Sequence, residues 1–217
     1  MSLPLSPTKG MWKGSVWPKL SKPAKVLKRA FYERDTRVVA CELIGKILVF
    51  EDGGTKFCGR IVETEAYLDG KDPASHAFRG MTPRNRVMFG PPGFSYVYFT
   101  YGFHHCFNVV TERDGVAGAV LIRAAEPLSG IEQMKKRRGI QKIHDVTNGP
   151  GKLTQAYGLT REHSGLDLTD GKLRVEDDLE LECELVSIGV SERIGIREPK
   201  KLLYRFFWEG NPFVSRT

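Results

Sequence analysis

The run Lys46-Ile-Leu-Val-Phe50, the triplet Asp52-Gly53-Gly54 and the stretch from Phe57 to Tyr67 read as two strands joined by a tight turn. The first run is apolar and β-like, and Asp-Gly before a second glycine is a hairpin signal. The returning strand ends Ile61-Val-Glu-Thr-Glu-Ala-Tyr67. Successive strand side chains alternate, so Glu63, Glu65 and Tyr67 are expected on one face, with Val62, Thr64 and Ala66 on the other.

Working outward, Asp35 can cap a short helix that carries Val38, Val39 and Leu43 and closes near Gly45. Downstream, Phe94 to Val110 reads as a second, aromatic-rich hairpin turning near Tyr101-Gly102, and Val116 to Ala124 as a buried strand after the Asp114-Gly115 turn. Ser129-Gly-Ile-Glu132 has the form of a capping box opening a basic helix with Lys135, Lys136, Arg137 and Arg138. Gly149-Pro-Gly-Lys-Leu153 leads into another short helix. Leu166 to Glu176 reads as a hairpin across Asp170-Gly171, and further strands run to Phe213. With no internal repeat, the expectation is one mixed α+β domain, mainly antiparallel, with flanking short helices.

The 217 residues suit one domain with a real core, or one domain plus a tail. No apolar run approaches the roughly 20 residues that span a bilayer, and no apolar signal segment opens the chain. Cys41, Cys58, Cys106 and Cys183 are scattered without a paired motif, which fits a reducing, intracellular setting better than a disulfide framework. The net charge is +7, but residues 1–30 hold Lys9, Lys13, Lys19, Lys22, Lys25, Lys28 and Arg29 with no acid. Removing those seven from the 33 basic residues leaves 26 against 26 acidic ones, so charge alone does not mark the body as a nucleic-acid binder. The expected organisation is a basic, proline-containing tail over residues 1–30 and a domain over 31–217. The tail fits a phosphate-seeking arm and a merely solvated leader equally well.

Glu63 and Glu65 are the first candidates for chemistry. Neighbouring carboxylates can push each other's pKa values apart and leave one as a general base. Most strand glutamates simply face solvent, and spacing alone leaves that open. Tyr96 and Tyr98 fall on one face of the aromatic hairpin, with Val97, Phe99 and Tyr101 on the other. Val97 and Phe99 are expected in the core. Tyr101, beside a glycine at the tip, is expected to be exposed and suited to wedging between base pairs. Thr82-Pro-Arg-Asn-Arg86 gathers cations and hydrogen-bonding groups in a short loop, so Thr82, Arg84 and Arg86 suit phosphate contacts. Lys152, at the start of a predicted helix, is another anion-binding candidate. The motif is not a nucleotide-binding P-loop, because Leu153 stands where Ser or Thr is needed. His104 and His105 point to opposite faces and lack a second cluster, so no metal is expected.

Taken in order, Arg60 to Tyr67, His76, Thr82 to Arg86, Tyr96 to Gly102, Asn108, Leu121 to Pro127, Gly149 to Leu153, Arg193 to Ile196 and Asn211 to Ser215 closely resemble the alkyladenine (3-methyladenine) DNA glycosylase family, over about residues 35–215. The resemblance implies a single domain with a curved antiparallel sheet and no metal or cofactor. It implies a monofunctional enzyme, acting on double-stranded DNA as a monomer, that hydrolyses the N-glycosidic bond of everted alkylated or deaminated purines. Glu65 would be the general base, with Arg123 and the Ile194 carbonyl holding the attacking water. Tyr67, His76 and Tyr98 would stack on the base, and Asn108 would disfavour the 2-amino group of guanine. Tyr101, with Phe103 beside it, would fill the gap in the duplex. Phe103 and His104 sit where members of that family differ, and the basic tail lies outside the resemblance. Two other readings remain open: a non-catalytic module that recognises distorted duplexes, and a carbohydrate hydrolase that uses Glu63 and Glu65 as paired acids.

Overall fold

The structure, a computed structural model, describes residues 25–179, 181, 186–196 and 202–215. Most of the predicted tail, residues 1–24, lies outside the described residues. Packing has already begun by Val26, which bridges to Glu176, and Leu27 is buried. Arg29 is hydrogen-bonded to Pro92 O and paired with Asp167.

The chain forms one mixed α/β unit around a curved antiparallel sheet. In order, its elements are α1 (Arg29–Tyr32), α2 (Thr36–Glu42), β1 (Ile47–Asp52), β2 (Thr55–Tyr67), β3 (Ser95–Thr100), β4 (His104–Val110), β5 (Ala119–Ser129), α3 (Ile131–Arg138), α4 (Pro150–Tyr157), β6 (Leu173–Glu176), β7 (Ile188–Ser191) and β8 (Arg205–Trp208). The strands run β3-β4-β5-β2-β1-β6, and β8 pairs with both β2 and β7. As expected, β1 and β2 are joined across Gly53-Gly54 and β3 and β4 across Tyr101-Gly102. Asp35 caps α2, accepting the Arg37 N–H.

β2 is the hinge of this arrangement. Its first half pairs with β1, its second half with β8, and nearly its whole length with β5. The β5 register slips on both sides of Glu63. A bulge of this kind bends the strand and re-aims side chains. Strict alternation therefore fails at one position. Val62 packs with Ala124 and Phe213, while Thr64 donates to the Ala40 carbonyl and Ala66 joins the main core. The main core lies against α2 and α4 and includes Tyr32, Phe50, Phe57, Phe107, Ile122 and Tyr157, all fully buried.

Three further expectations are corrected. Ser129 does not cap α3; its hydroxyl donates to the Lys56 carbonyl, and Gly130 takes the N-cap position with no side-chain cap. Only glycine fits there, because φ is +74° and a Cβ would stand 2.8 Å from the Phe57 ring. Leu166–Glu176 is not a hairpin, since β6 pairs with β1 and Asp167 bridges to Phe94 instead. Phe99 is half-buried, because it lies near the open end of its strand against His105 and Arg161. No helix among the described residues is long and apolar enough to cross a membrane.

Candidate active site

The sheet register brings distant residues into one row. Tyr96 pairs with Asn108, Asn108 with Leu121, Leu121 with Glu65, and Glu65 with Arg205. Paired residues share a sheet face. One step along, Tyr98 and Cys106 extend the same face. Tyr96, Tyr98, Cys106, Asn108 and Leu121 of this face line a pocket of about 220 Å³, together with Arg123, Tyr67, His76 and the edge formed by Ile194 to Ile196. That volume is below the about 300–1,000 Å³ of drug-sized sites and suits one planar heterocycle.

Aromatic rings form the wall. His76 meets Tyr98 edge-on at 4.5 Å between centroids, and Tyr96 lies 5.4 Å from Tyr98. The Tyr96 hydroxyl and His76 Nδ1 are 3.0 Å apart. Burial pushes the Tyr96 hydroxyl up to about 12 and raises that of Tyr98 further, with Cys106 adding to it. His76 is lowered by its packed side and then by Arg84, which favours a neutral ring. Asn108 closes the floor, with its amide donating to the carbonyls of Tyr96 (3.0 Å) and Cys106 (3.4 Å).

Glu63 and Glu65 are both fully buried, which overturns the solvent-facing alternative. Glu65 accepts from the Tyr67 hydroxyl at 2.8 Å and from the Ile194 N–H at 2.7 Å. Arg123 Nη1 stands 3.2 Å from Glu65 Oε1. All three partners line the pocket, so the carboxylate sits directly behind its wall. The Ile194 contact recorded with Glu65 is through its N–H. Burial works to lower Arg123, but the charges of Glu65 and Glu63 outweigh it and hold the guanidinium above its ordinary value. Burial, then the charge and hydrogen bond of Glu65, raises the Tyr67 hydroxyl, which stays a donor.

Glu63 is not a second free acid. It accepts from Arg123 Nε (2.9 Å), Arg205 Nε (2.7 Å), the Ser215 N–H (2.8 Å) and the Ser215 hydroxyl (2.8 Å). A paired-acid glycoside hydrolase needs both carboxyls facing one bond, so that reading fails here.

Tyr101 is 81% and Phe103 70% exposed at the β3–β4 tip, and Tyr101 has a left-handed φ of 52°. Tyr101 also borders the pocket mouth. Thr82, Arg84 and Arg86 are exposed on the neighbouring loop. Arg84 lies over the Tyr98 ring at 5.6 Å and bonds the Phe99 carbonyl. Asn85, within the same predicted motif, turns inward and holds the loop through His76 O and Gly80 O. Lys152 donates to Asn148 in the first turn of α4, whose Pro150 borders the pocket.

Sequence reasoning gave no role to Tyr96, Met88 or Cys106, although alternation from Tyr98 could have found Tyr96. It also missed the buried pair of Arg193 and Asp72, at 2.6 and 2.7 Å. Arg193 also bonds Ala66 O and lies 4.6 Å from the Tyr67 ring. These partners are 121 residues apart and carry no local signal.

The family model described as methylpurine-DNA glycosylase matches residues 30–212. A Chlorobaculum tepidum protein provisionally named 3-methyladenine DNA glycosylase is 50% identical over 89% of this chain and 92% of its own length. A Carboxydothermus hydrogenoformans protein with the same provisional name is 50% identical over 88% of this chain and 99% of its own. One from Methanoculleus marisnigri is 49% identical over 88% and 98% respectively.

Proposed function

Since the chain belongs to the methylpurine-DNA glycosylase family and is a 3-methyladenine DNA glycosylase, we propose that it excises a range of alkylated and deaminated purines: 3-methyladenine, 7-methylguanine, hypoxanthine and ethenoadenine. The observation that carries this is Glu65, buried behind a single-base-sized aromatic pocket and held by three groups that line it.

A base inside a duplex is out of reach, so the purine must be everted, at a cost of a few kcal/mol that is smallest for damaged or mispaired bases. Stacking returns about 1–3 kcal/mol per base. Tyr67, His76 and Tyr98 supply the stacking surfaces, and Tyr101 with Phe103 fills the gap left in the duplex. Thr82, Arg84, Arg86 and Lys152 hold phosphates around the pocket mouth. Asn108 excludes the 2-amino group of undamaged guanine.

A carboxylate offers about four acceptor positions. Tyr67 and Ile194 donate to two, the Arg123 guanidinium faces Glu65 as an ion pair at 3.2 Å, and a free position accepts a proton from the attacking water. Arg123 and the Ile194 carbonyl orient that water. As the bond from sugar to base lengthens, the carboxylate also stabilises the positive charge growing on the sugar. Water supplies hydroxide to the sugar carbon, its proton goes to Glu65, and the purine leaves with the bonding electron pair. No lysine lines the pocket among the described residues, which fits direct hydrolysis without a covalent sugar intermediate or strand cleavage. The enzyme acts as an intracellular monomer on double-stranded DNA.

Duplex oligonucleotides carrying one lesion each, incubated with the protein and then treated with alkali, test the substrate range. Each lesion named should yield an alkali-labile site, and undamaged guanine should not. Binding of lesion duplexes with no labile site for any lesion would refute the reading.

A further inference from the structure

The family role of Glu65 leaves unexplained why a second, fully buried carboxylate stands two residues earlier, held by four donors of its own. Glu63 takes four donors from three separate parts of the chain: β5 through Arg123, β8 through Arg205, and the C-terminal segment through both donors of Ser215. With Glu65, it makes a buried cluster of two cations and two anions that is formally neutral.

We infer that Glu63 is a positioning residue for base excision: it locks the Arg123 guanidinium so that Nη1 alone meets Glu65, and Ser215 latches Glu63 in place. The inference rests on the reading of Glu65 as the base. Guanidinium is planar, with its donors in a rigid fork. Holding Nε on Glu63 at 2.9 Å therefore fixes the direction of Nη1, which stands at 3.2 Å from Glu65. Without that anchor the fork is free to rotate and take Glu65 with two donors, occupying the acceptor position that the water needs. Arg205 cannot replace the anchor, because a guanidinium carries no acceptor. The β2 bulge at Glu63 is what allows this side chain to reach β5, β8 and the C-terminal segment together. The segment Asn211–Ser215 is thereby part of the reaction centre although it does not line the pocket.

The test measures single-turnover release of hypoxanthine, and affinity for the same duplex, in the full-length protein and in Glu63→Gln, Arg123→Gln and the double variant. Glu63→Gln should slow release by about 10- to 100-fold, on the scale of losing a partner that orients a metal ligand. Its affinity should stay within about threefold of the parent. In the Arg123→Gln background, Glu63→Gln should cost nothing further, because the group it orients is gone. A parental rate in Glu63→Gln, or losses that simply add in the double variant, would overturn the inference. If Glu63→Gln does not fold, Ser215→Ala, which keeps the backbone donor, reads the same coupling. It should slow release in the parent and not in the Arg123→Gln background, and no loss or additive loss overturns the inference. Glu65→Gln, run alongside, separates the two readings. Full activity there sinks the assignment of the base, whereas an inactive Glu65→Gln beside a fully active Glu63→Gln sinks only the positioning role.

Discussion

Replacing Arg193 with methionine should destabilise the fold far more than an ordinary arginine loss. The guanidinium is 3% exposed and its partner Asp72 is 2% exposed. It forms two charge-assisted bonds to Asp72, at 2.6 and 2.7 Å, and one to the Ala66 carbonyl at 2.9 Å. It also lies against the rings of Tyr67 and Tyr204, at 4.6 and 5.4 Å. Methionine keeps much of the packing but leaves a buried carboxylate with only, among the described residues, the N–H groups of Leu68 and Ala74, each at 3.2 Å. Breaking a buried pair in this one-sided way costs about 3–5 kcal/mol. With a urea slope of about 2–3 kcal/mol per molar, the unfolding midpoint falls by roughly 1–2.5 M. Adding Asp72→Asn removes the stranded charge, so the double variant should recover about 1–3 kcal/mol relative to additivity. Urea unfolding followed by tryptophan fluorescence reads both numbers. A loss below about 1 kcal/mol for Arg193→Met, or strict additivity in the double variant, would refute the reasoning.

Tyr101→Ser should leave stability within about 0.5 kcal/mol, since the ring is exposed. It should weaken binding to a lesion duplex by roughly 5- to 150-fold, equivalent to the loss of about 1–3 kcal/mol of stacking; unchanged affinity would remove the wedge role. His76 should titrate below its ordinary 6.5 by NMR, because burial and then Arg84 lower it. The unfolded chain then takes up this proton first, so the contribution of His76 to stability is complete above 6.5 and is lost as pH falls through the folded value. Arg84→Gln should raise the midpoint without restoring 6.5, because burial is the larger cause; no movement would exclude Arg84 as a cause. Asn108→Ala should raise release of undamaged guanine relative to hypoxanthine, measured on paired duplexes, and an unchanged ratio would clear Asn108 of that role.

Much of this site was legible because its parts obey local rules. Asp-Gly-Gly turns β1 into β2, and alternation along β3 predicts that Tyr96 and Tyr98 share a face, as their place in one pocket wall bears out. The place of Tyr101 beside a glycine at a tip predicts exposure, and the ring is exposed. The illegible parts depend on long-range register or on a local exception. Nothing near Glu63 announces the bulge that turns Val62 and Glu63 to one side, or the arrival of Ser215 from 152 residues away. Ser129 has the composition of a cap, but the close approach of Gly130 to Phe57 moves the helix start past it. Asp72 in a loop and Arg193 after a strand carry no local signal that pairs them, and only the fold makes them a buried pair.

The most direct test of the central claim is single-turnover base release by Glu65→Gln, with lesion-duplex affinity measured on the same preparation. The variant keeps the shape and most of the hydrogen bonds but cannot take the proton from water. Affinity should match the parent, and release should fall by at least about 10²- to 10⁴-fold, the contribution of a positioned general base. Release at the parental rate would show that Glu65 is not the group that activates the water.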